Sequence, residues 1–93
     1  PVDRKEGVCT AQIRFNGGQG KRRFDIHSAT MKDLFVFAAS LMDQEDTTFR
    51  LVTRFPRHEW SLQGGGMDRQ IENITLHEAG IQQGQELFLC ENL

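Results

Sequence analysis

An aromatic ring, a proline and two guanidinium groups lie close together in residues 53–58, which read Thr-Arg-Phe-Pro-Arg-His. Pro56 has no backbone N–H to donate to a sheet, so it favours a turn between two strand-like segments. Phe55 is then expected on a loop, where an exposed aromatic ring suggests binding. A ring folded back onto the core fits the local sequence equally well. With Arg57 beside it, the stretch offers apolar contact and hydrogen bonding, which is the chemistry of a binding turn.

No residues with catalytic or metal-ligand spacing are found in the sequence. The three histidines are scattered, and we expect each of them at the surface: His27, His58 and His77. The glycine-rich residues 17–21 resemble a phosphate loop, but Phe15 stands where that loop needs glycine and Arg22 where it needs Ser or Thr. We therefore predict a protein that is not an enzyme and that uses no metal or cofactor.

Size and charge narrow the class of protein. The chain has 93 residues and a formal net charge of −2, which allows one small domain and gives no general attraction to nucleic acid. No apolar run approaches the roughly 20 residues that span a bilayer. We expect residues 1–7 to be a flexible leader within a piece of a longer protein, and residues 8–93 to form the domain. The domain is expected to be a monomer without direct membrane contact.

The first half of the chain has the pattern of a hairpin followed by a helix. Residues 9–15 alternate with period two, which predicts a strand with Ile13 buried and Arg14 facing away from the core. Residues 16–20 predict the turn and residues 21–26 the second strand. Thr30 is predicted to cap the helix with Asp33 at the reciprocal position, and Ser28 is a rival cap. A Met- and Phe-rich stripe then marks the core-facing side of this helix, which ends at the acidic residues 43–46.

The second half predicts three more strands. Residues 48–53 are predicted to form a strand with Val52 facing outward, and a short strand is predicted around residues 58–61. Residues 86–90 are predicted to form the last strand, with Leu87 and Leu89 on one face. Residues 63–70 look like a flexible excursion, and residues 75–80 have the spacing of a capped short helix. The order (ββαββ, a short helix, then β) predicts an α+β fold. It is a ubiquitin-like β-grasp roll whose mixed sheet packs on one helix.

This topology has a consequence for the cysteines. The first and last strands run parallel at the centre of the sheet, so Cys9 would begin one and Cys90 would end the other. At a rise of about 3.3 Å per residue, the Cα atoms of the two cysteines would lie more than about 10 Å apart, beyond the roughly 7 Å Cα–Cα limit for a disulfide. Free thiols and a reducing compartment are expected.

Basic residues are separated from the 13 acidic ones. No acidic residue occurs in residues 7–24 or 47–58, which contain seven basic ones. These are Arg14, Lys21, Arg22, Arg23, Arg50, Arg54 and Arg57. Strands one and three flank strand five in the predicted sheet, so Arg14 and the turn at 55–57 can share a surface. Ordinary solvated arginines are the other interpretation.

Four segments together resemble a UBX domain from about Cys9 to the end. They are residues 11–15 (Ala-Gln-Ile-Arg-Phe), Arg23-Phe24, residues 49–57 (Phe-Arg-Leu-Val-Thr-Arg-Phe-Pro-Arg) and residues 75–81 (Thr-Leu-His-Glu-Ala-Gly-Ile). In that family the strand-one Arg and the Phe-Pro-Arg motif bind the N-terminal domain of valosin-containing protein. That partner is a hexameric AAA ATPase that extracts and unfolds ubiquitylated proteins.

The resemblance implies a binding site made of Arg14, Phe55, Pro56 and Arg57. Phe55 would be the apolar anchor in a cleft between two subdomains of the ATPase's N-terminal domain, and Pro56 would be cis. Arg14 and Arg57 would bind polar and acidic groups on the walls of that cleft. An adaptor role in ubiquitin-dependent extraction and degradation, including ER-associated degradation, is implied. The resemblance also implies a location in the cytoplasm, the nucleus or both, with the domain facing the cytosol if the parent protein is membrane-anchored.

The chain departs from the family pattern after the Pro-Arg, where His58-Glu59-Trp60 replaces the usual basic and apolar residues. Glu59 could weaken or retune binding, and the glycine-rich connection from Trp60 to Thr75 is longer than usual. An alternative is a β-grasp domain that binds a small GTPase through the basic second strand, residues 21–23. A conjugated modifier is a third class, but it needs a C-terminal glycine, and the only triple-glycine run (residues 64–66) is internal.

Overall fold

The computed structural model describes residues 7–44, 48–54, 57–62 and 73–92. Within these ranges the chain forms five strands and one helix, in the order that the sequence predicts. They are β1 (Val8–Phe15), β2 (Gly18–Asp25), α1 (Met31–Leu41), β3 (Phe49–Arg54), β4 (Arg57–Ser61) and β5 (Gly84–Asn92). In these ranges no helix is long and apolar enough to cross a membrane.

The strands form one mixed sheet with the order β2-β1-β5-β3-β4. β1 and β5 are parallel neighbours at its centre, and the other neighbouring pairs are antiparallel. One face of the sheet packs on α1, and we call it the inner face; the opposite one is the outer face. This arrangement is the predicted β-grasp.

The core lies between the inner face and α1. Ile13 and Phe88 stand opposite each other on the central strands and are fully buried, as are Leu34 and Phe35 on α1. The rings of Phe35 and Phe49 stack with their centroids 5.4 Å apart. Each such side chain gains roughly 1.5–3 kcal/mol by leaving water. The apolar stripe of α1 therefore belongs to the core, as predicted.

α1 begins with the predicted capping box. The Thr30 hydroxyl oxygen accepts a hydrogen bond from the Asp33 N–H at 3.3 Å, and the Thr30 N–H donates to Asp33 Oδ2 at 2.9 Å. Two N–H groups that the first helical turn leaves without intrahelical acceptors are thus satisfied. Ser28, the rival cap, lies in the preceding turn, where its N–H donates to the carbonyl of Asp25.

The short helix predicted near residue 75 is a single capped turn. Thr75 N–H donates to Glu78 Oε1 at 2.9 Å, Glu78 N–H donates to the Thr75 hydroxyl at 3.1 Å, and Gly80 ends the turn at φ +96°. Backbone bonds from Leu76 to Ala29 and from His77 to Ile26 attach this turn to the start of α1. The fold thus fixes the connection into β5.

The hairpin between β1 and β2 is shorter than the sequence predicts. Its turn holds only Asn16 and Gly17, the latter at φ +127°, and residues 18–20 belong to β2. Gly20 pairs with Ile13 under the helix, where a Cβ would lie 2.5 Å from Leu41 Cδ2. Glycine at this position therefore serves close packing of strand on helix, and the glycine-rich composition wrongly extended the turn.

The outer face carries more apolar surface than the alternation predicts. Val52 faces away from α1 as predicted, yet it is fully buried. The reason is its central position, because the longer side chains of Glu59 and Leu89 stand directly opposite it on the two neighbouring strands. Leu87 and Leu89 lie on one face of β5, as predicted, and the register shows that it is the outer face, where Leu87 is 38% exposed. The core residue of β5 is Phe88, which lies between them.

Gly7 is the first residue of the described chain and is already part of the fold. It is buried, its N–H donates to Gln83 Oε1 at 2.9 Å, and its carbonyl accepts from the Ile26 N–H at 2.8 Å. Residues 1–6 and the predicted excursion at 63–70 lie outside the described residues. The leader, and the domain boundary placed after residue 7, stay predictions.

Candidate functional site

Two of the four predicted site residues, Arg14 and Arg57, are described, and both are exposed. Phe55 and Pro56 lie outside the described residues, so the exposed ring and the cis bond stay predictions. Arg54 and Arg57, which border them, stand directly opposite each other on β3 and β4. The two strands thus bring the ends of the predicted binding turn together at one edge of the sheet.

Arg14 and Arg57 lie on the same outer face but do not touch. In the sheet register Arg14 is opposite Leu89, Leu89 is opposite Val52, and Val52 is opposite Glu59. Directly opposite residues share a face, and so does Arg57, two residues from Glu59. Three strand spacings of about 4.8 Å separate β1 from β4 by about 14 Å. The predicted site is therefore a broad surface with an apolar middle.

Arg57 belongs to an ion-pair network on this face, made with Arg50, Glu59 and Glu91. Arg57 Nη2 and Nε donate to Glu59 Oε2 at 2.8 and 3.1 Å. Arg50 Nη1 donates to the other oxygen, Oε1 of Glu59, at 3.2 Å. Glu91 Oε1 lies 3.7 Å from Arg57 Nη2 and 3.9 Å from Arg50 Nε. Glu59 therefore holds both guanidinium groups.

The network remains accessible to solvent and to a partner. The Arg57 side chain is 54% exposed and that of Glu59 is 43% exposed. Hydrogen bonds from Arg57, and then from Arg50, lower the pKa of Glu59 below its ordinary value. Glu59 is therefore a carboxylate at neutral pH, and an acidic group that binds Arg57 must compete with it.

Positive charge exceeds negative charge beside residues 55 and 56. Arg54 and Arg57 are like charges on directly opposite positions, an arrangement that is unfavourable in an isolated sheet. Within the described part of the chain, neither Arg54 nor Arg14 makes an ion pair. This edge of the sheet is thus suited to a partner that carries acidic groups.

Comparison with protein families matches residues 3–91 to the UBX domain model. The chain belongs to the UBX family. A UBX domain is a ubiquitin-like module for protein interaction. Among solved structures, the solution structure of the UBX domain of D0H8S2298E protein is similar, with a TM-score of 0.65 and 24% sequence identity. The match covers 100% of this chain and 76% of that one, and it supports the fold. A search of curated proteins gave no match.

Sequence reasoning did not find the ion-pair network of this UBX domain. The spacing of Arg57 and Glu59 was available as a signal, because residues two apart on a strand share a face. Spacing along a single strand could not have predicted that Glu91 and Arg50 belong to the same network. They meet only because β5 and β3 pair with Arg50 opposite Glu91, which depends on the register of two strands far apart in sequence.

The UBX domain also brings together two histidines that are distant in sequence. The rings of His27 and His77 have their centroids 4.5 Å apart, because the backbone bond from His77 to Ile26 attaches the capped turn to this part of the chain. All three histidines are exposed, as predicted. In the ranges that the structure describes, no three His, Cys, Asp or Glu side chains form a group that could hold a metal ion.

Both cysteines of the UBX domain are free, as predicted. Cys9 pairs with Gly84 at one end of β5, whereas Cys90 pairs with Leu51 near the other end. Burial raises the pKa of each thiol to about 11, with the Glu86 charge as a second cause at Cys9. Both are therefore protonated at neutral pH, and neither is suited to act as a nucleophile.

Proposed function

We propose that this UBX domain is a non-catalytic module that docks onto the N-terminal domain of the AAA ATPase valosin-containing protein. The observation that carries the proposal is the common outer face of Arg14 and Arg57, two of the residues that the family motif assigns to binding. Membership of the UBX family supports it further. The parent protein would then be an adaptor in ubiquitin-dependent extraction and degradation, acting in the cytoplasm, the nucleus or both.

Each site residue has a physical role in this proposal. Phe55 supplies the apolar anchor, and Pro56 shapes the turn that presents it. Arg57 and Arg14 supply planar, multi-donor groups for acidic and polar partner atoms, which lysine cannot copy. The cationic excess beside the turn steers an acidic surface toward it. A central aromatic flanked by arginine commonly contributes about 2 kcal/mol or more to an interface.

Calorimetric titration of the domain into the isolated N-terminal domain of valosin-containing protein tests the proposal. We expect saturable binding by the wild type and its loss in Phe55→Ser and in Arg57→Glu. Lys32→Glu is the matched control, because it reverses an exposed charge on α1, on the other side of the sheet. It should bind like the wild type.

Thermal melting of the same variants separates binding from folding. Arg57 is exposed, so Arg57→Glu should keep a cooperative transition, and we expect the same of Phe55→Ser. Loss of the transition would contradict the exposure assigned to that residue. A folded wild type that does not bind would contradict the proposal.

The alternative, binding of a small GTPase through β2, uses the opposite edge of the sheet. The observation in its favour is the basic run at residues 21–23 on that edge strand. It predicts that reversing these three charges abolishes binding of the GTPase, whereas Arg57→Glu leaves it unchanged.

A further inference from the structure

A second basic surface lies at the edge of the sheet farthest from Arg57. β2 is the last strand on this side, and no segment in the described ranges pairs with its outer edge. In a ladder, alternate residues of an edge strand direct their N–H and C=O groups away from the neighbouring strand. The open edge of β2 can therefore accept one more strand.

The side chains along this edge are cationic and have no carboxylate partners among the described residues. Lys21, Arg22 and Arg23 are consecutive on β2, and Lys32 stands beside them on α1; all four are exposed. None of them makes an ion pair within those residues. The edge thus combines unused backbone groups with unneutralised positive charge.

A shallow groove of about 350 Å³ separates β2 from α1. Val36, 51% exposed, forms part of its apolar lining. Arg22 lies over two aromatic rings at the strand side, with its guanidinium carbon 5.0 Å from the ring centroid of Phe24 and 5.9 Å from that of Phe37. The groove thus has an apolar floor next to a cation.

Two carboxylates also line the groove, and both already have hydrogen-bond donors. Asp25 Oδ1 accepts from the His27 N–H at 2.9 Å, and Asp33 Oδ2 accepts from the Thr30 N–H at 2.9 Å. Against them stand Arg22, Arg23 and Lys32 in the groove and Lys21 beside it. The balance of charge at this edge is positive.

We propose that the β2–α1 groove binds an extended acidic segment of a partner protein by strand addition to β2. The added strand pairs with the open backbone of β2, which provides affinity independent of side chains. Its acidic residues lie opposite Lys21 and Arg23 on the outer face, and its apolar residues face Val36 and the groove on the inner face. This edge lies on the opposite side of the sheet from Arg57, whereas Arg14, the other described residue of the proposed ATPase site, is on β1, the strand next to β2.

The test uses the 93-residue chain labelled with ¹⁵N and a synthetic peptide of alternating glutamate and valine. We expect saturable NMR shift changes in residues 18–25 and 32–37, and binding that weakens with salt. A peptide N-methylated at every residue has no backbone N–H for the strand ladder on either edge and should not bind. A peptide with lysine in place of glutamate should also fail.

Charge reversal locates the site. We expect Lys21→Glu with Arg23→Glu to weaken peptide binding about tenfold or more. The matched control, Arg54→Glu with Arg57→Glu, carries the same charge change at the opposite edge and should bind within about twofold of the wild type. If the reversed variant does not fold, Lys21→Gln with Arg23→Gln replaces it and should weaken binding in the same direction.

Several results would overturn the proposal. They are absence of saturable binding at millimolar peptide, equal binding of the N-methylated peptide, or equal loss in both reversed variants. Shift changes centred on β4 would also contradict it. A single-stranded oligonucleotide that binds the same residues more tightly than the peptide would assign the edge to nucleic acid instead.

Discussion

The exposed Arg57 guanidinium has a hydrogen-bond partner in its own chain before it meets any other protein. Glu59 accepts two of its hydrogen bonds and one from Arg50. An exposed pair of this kind is weak, because water screens it. It nevertheless sets the orientation of Arg57 and reduces the net positive charge beside the proposed binding turn.

Removal of the Glu59 charge should strengthen binding to the N-terminal domain of valosin-containing protein. Glu59→Gln leaves Arg57 with a weaker competitor, and we expect affinity to rise by about twofold to fivefold in calorimetry. Asp43→Asn removes an equal charge at the far end of α1 and should leave affinity unchanged. Weaker binding by Glu59→Gln would show instead that Glu59 orients Arg57 for the partner.

The pKa of Glu59 should be lower in the folded domain than in the unfolded chain. Its charged form accepts hydrogen bonds from Arg57 and Arg50, which favour ionisation. The contribution of these bonds to stability is therefore present above the unfolded-state pKa and is lost as pH falls through the folded-state pKa. A carboxyl ¹³C NMR titration measures this value. In Arg57→Gln the pKa should rise toward the ordinary value, and an unchanged pKa would exclude Arg57 as the main cause.

At the scale of elements, the start of α1 organises two parts of the fold. Thr30 caps the helix, and the turn at residues 75–80 is bonded to the residues just before it. Loss of the cap should therefore weaken the packing of this turn as well as the helix.

Thr30→Ala should destabilise the domain by about 0.5–2 kcal/mol, because the Asp33 N–H loses its acceptor. Chemical denaturation followed by circular dichroism measures the change. Ser28→Ala is the matched control: Ser28 was the rival cap in the sequence, and its replacement should change stability by less than about 0.5 kcal/mol. Equal effects of the two changes would refute the assigned helix start.

For the molecule as a whole, the core beneath the central strands determines stability. Ile13 is fully buried on β1 opposite Phe88. Ile13→Ala should therefore lower the free energy of unfolding by about 2–5 kcal/mol, measured by denaturant titration. Arg14→Ala, on the next residue and the outer face, should stay within about 0.5 kcal/mol of the wild type. A small effect of Ile13→Ala would refute the assigned face of β1.

Sequence patterns predicted the elements and their order because each depends on local rules. The alternation that buries Ile13 and the capping box at Thr30 are examples. What they missed depends on contacts between distant segments. Gly20 was wrongly assigned to the turn. Glycine is needed there because Leu41 approaches closely, and that contact exists only once the helix packs on the strand. The burial of Val52 and the place of Glu91 in the network likewise require the register of β3 with its neighbours.

The central parallel pair also governs how the domain responds to mechanical force. Tension applied before Val8 and after Asn92 pulls β1 and β5 in opposite directions along their own axes, since the strands are parallel neighbours. The register pairs from Cys9–Gly84 to Arg14–Leu89 are then loaded in shear and must slip together, whereas a hairpin pulled from its open end unzips bond by bond. The domain is therefore arranged to stay folded when tension is applied along its chain.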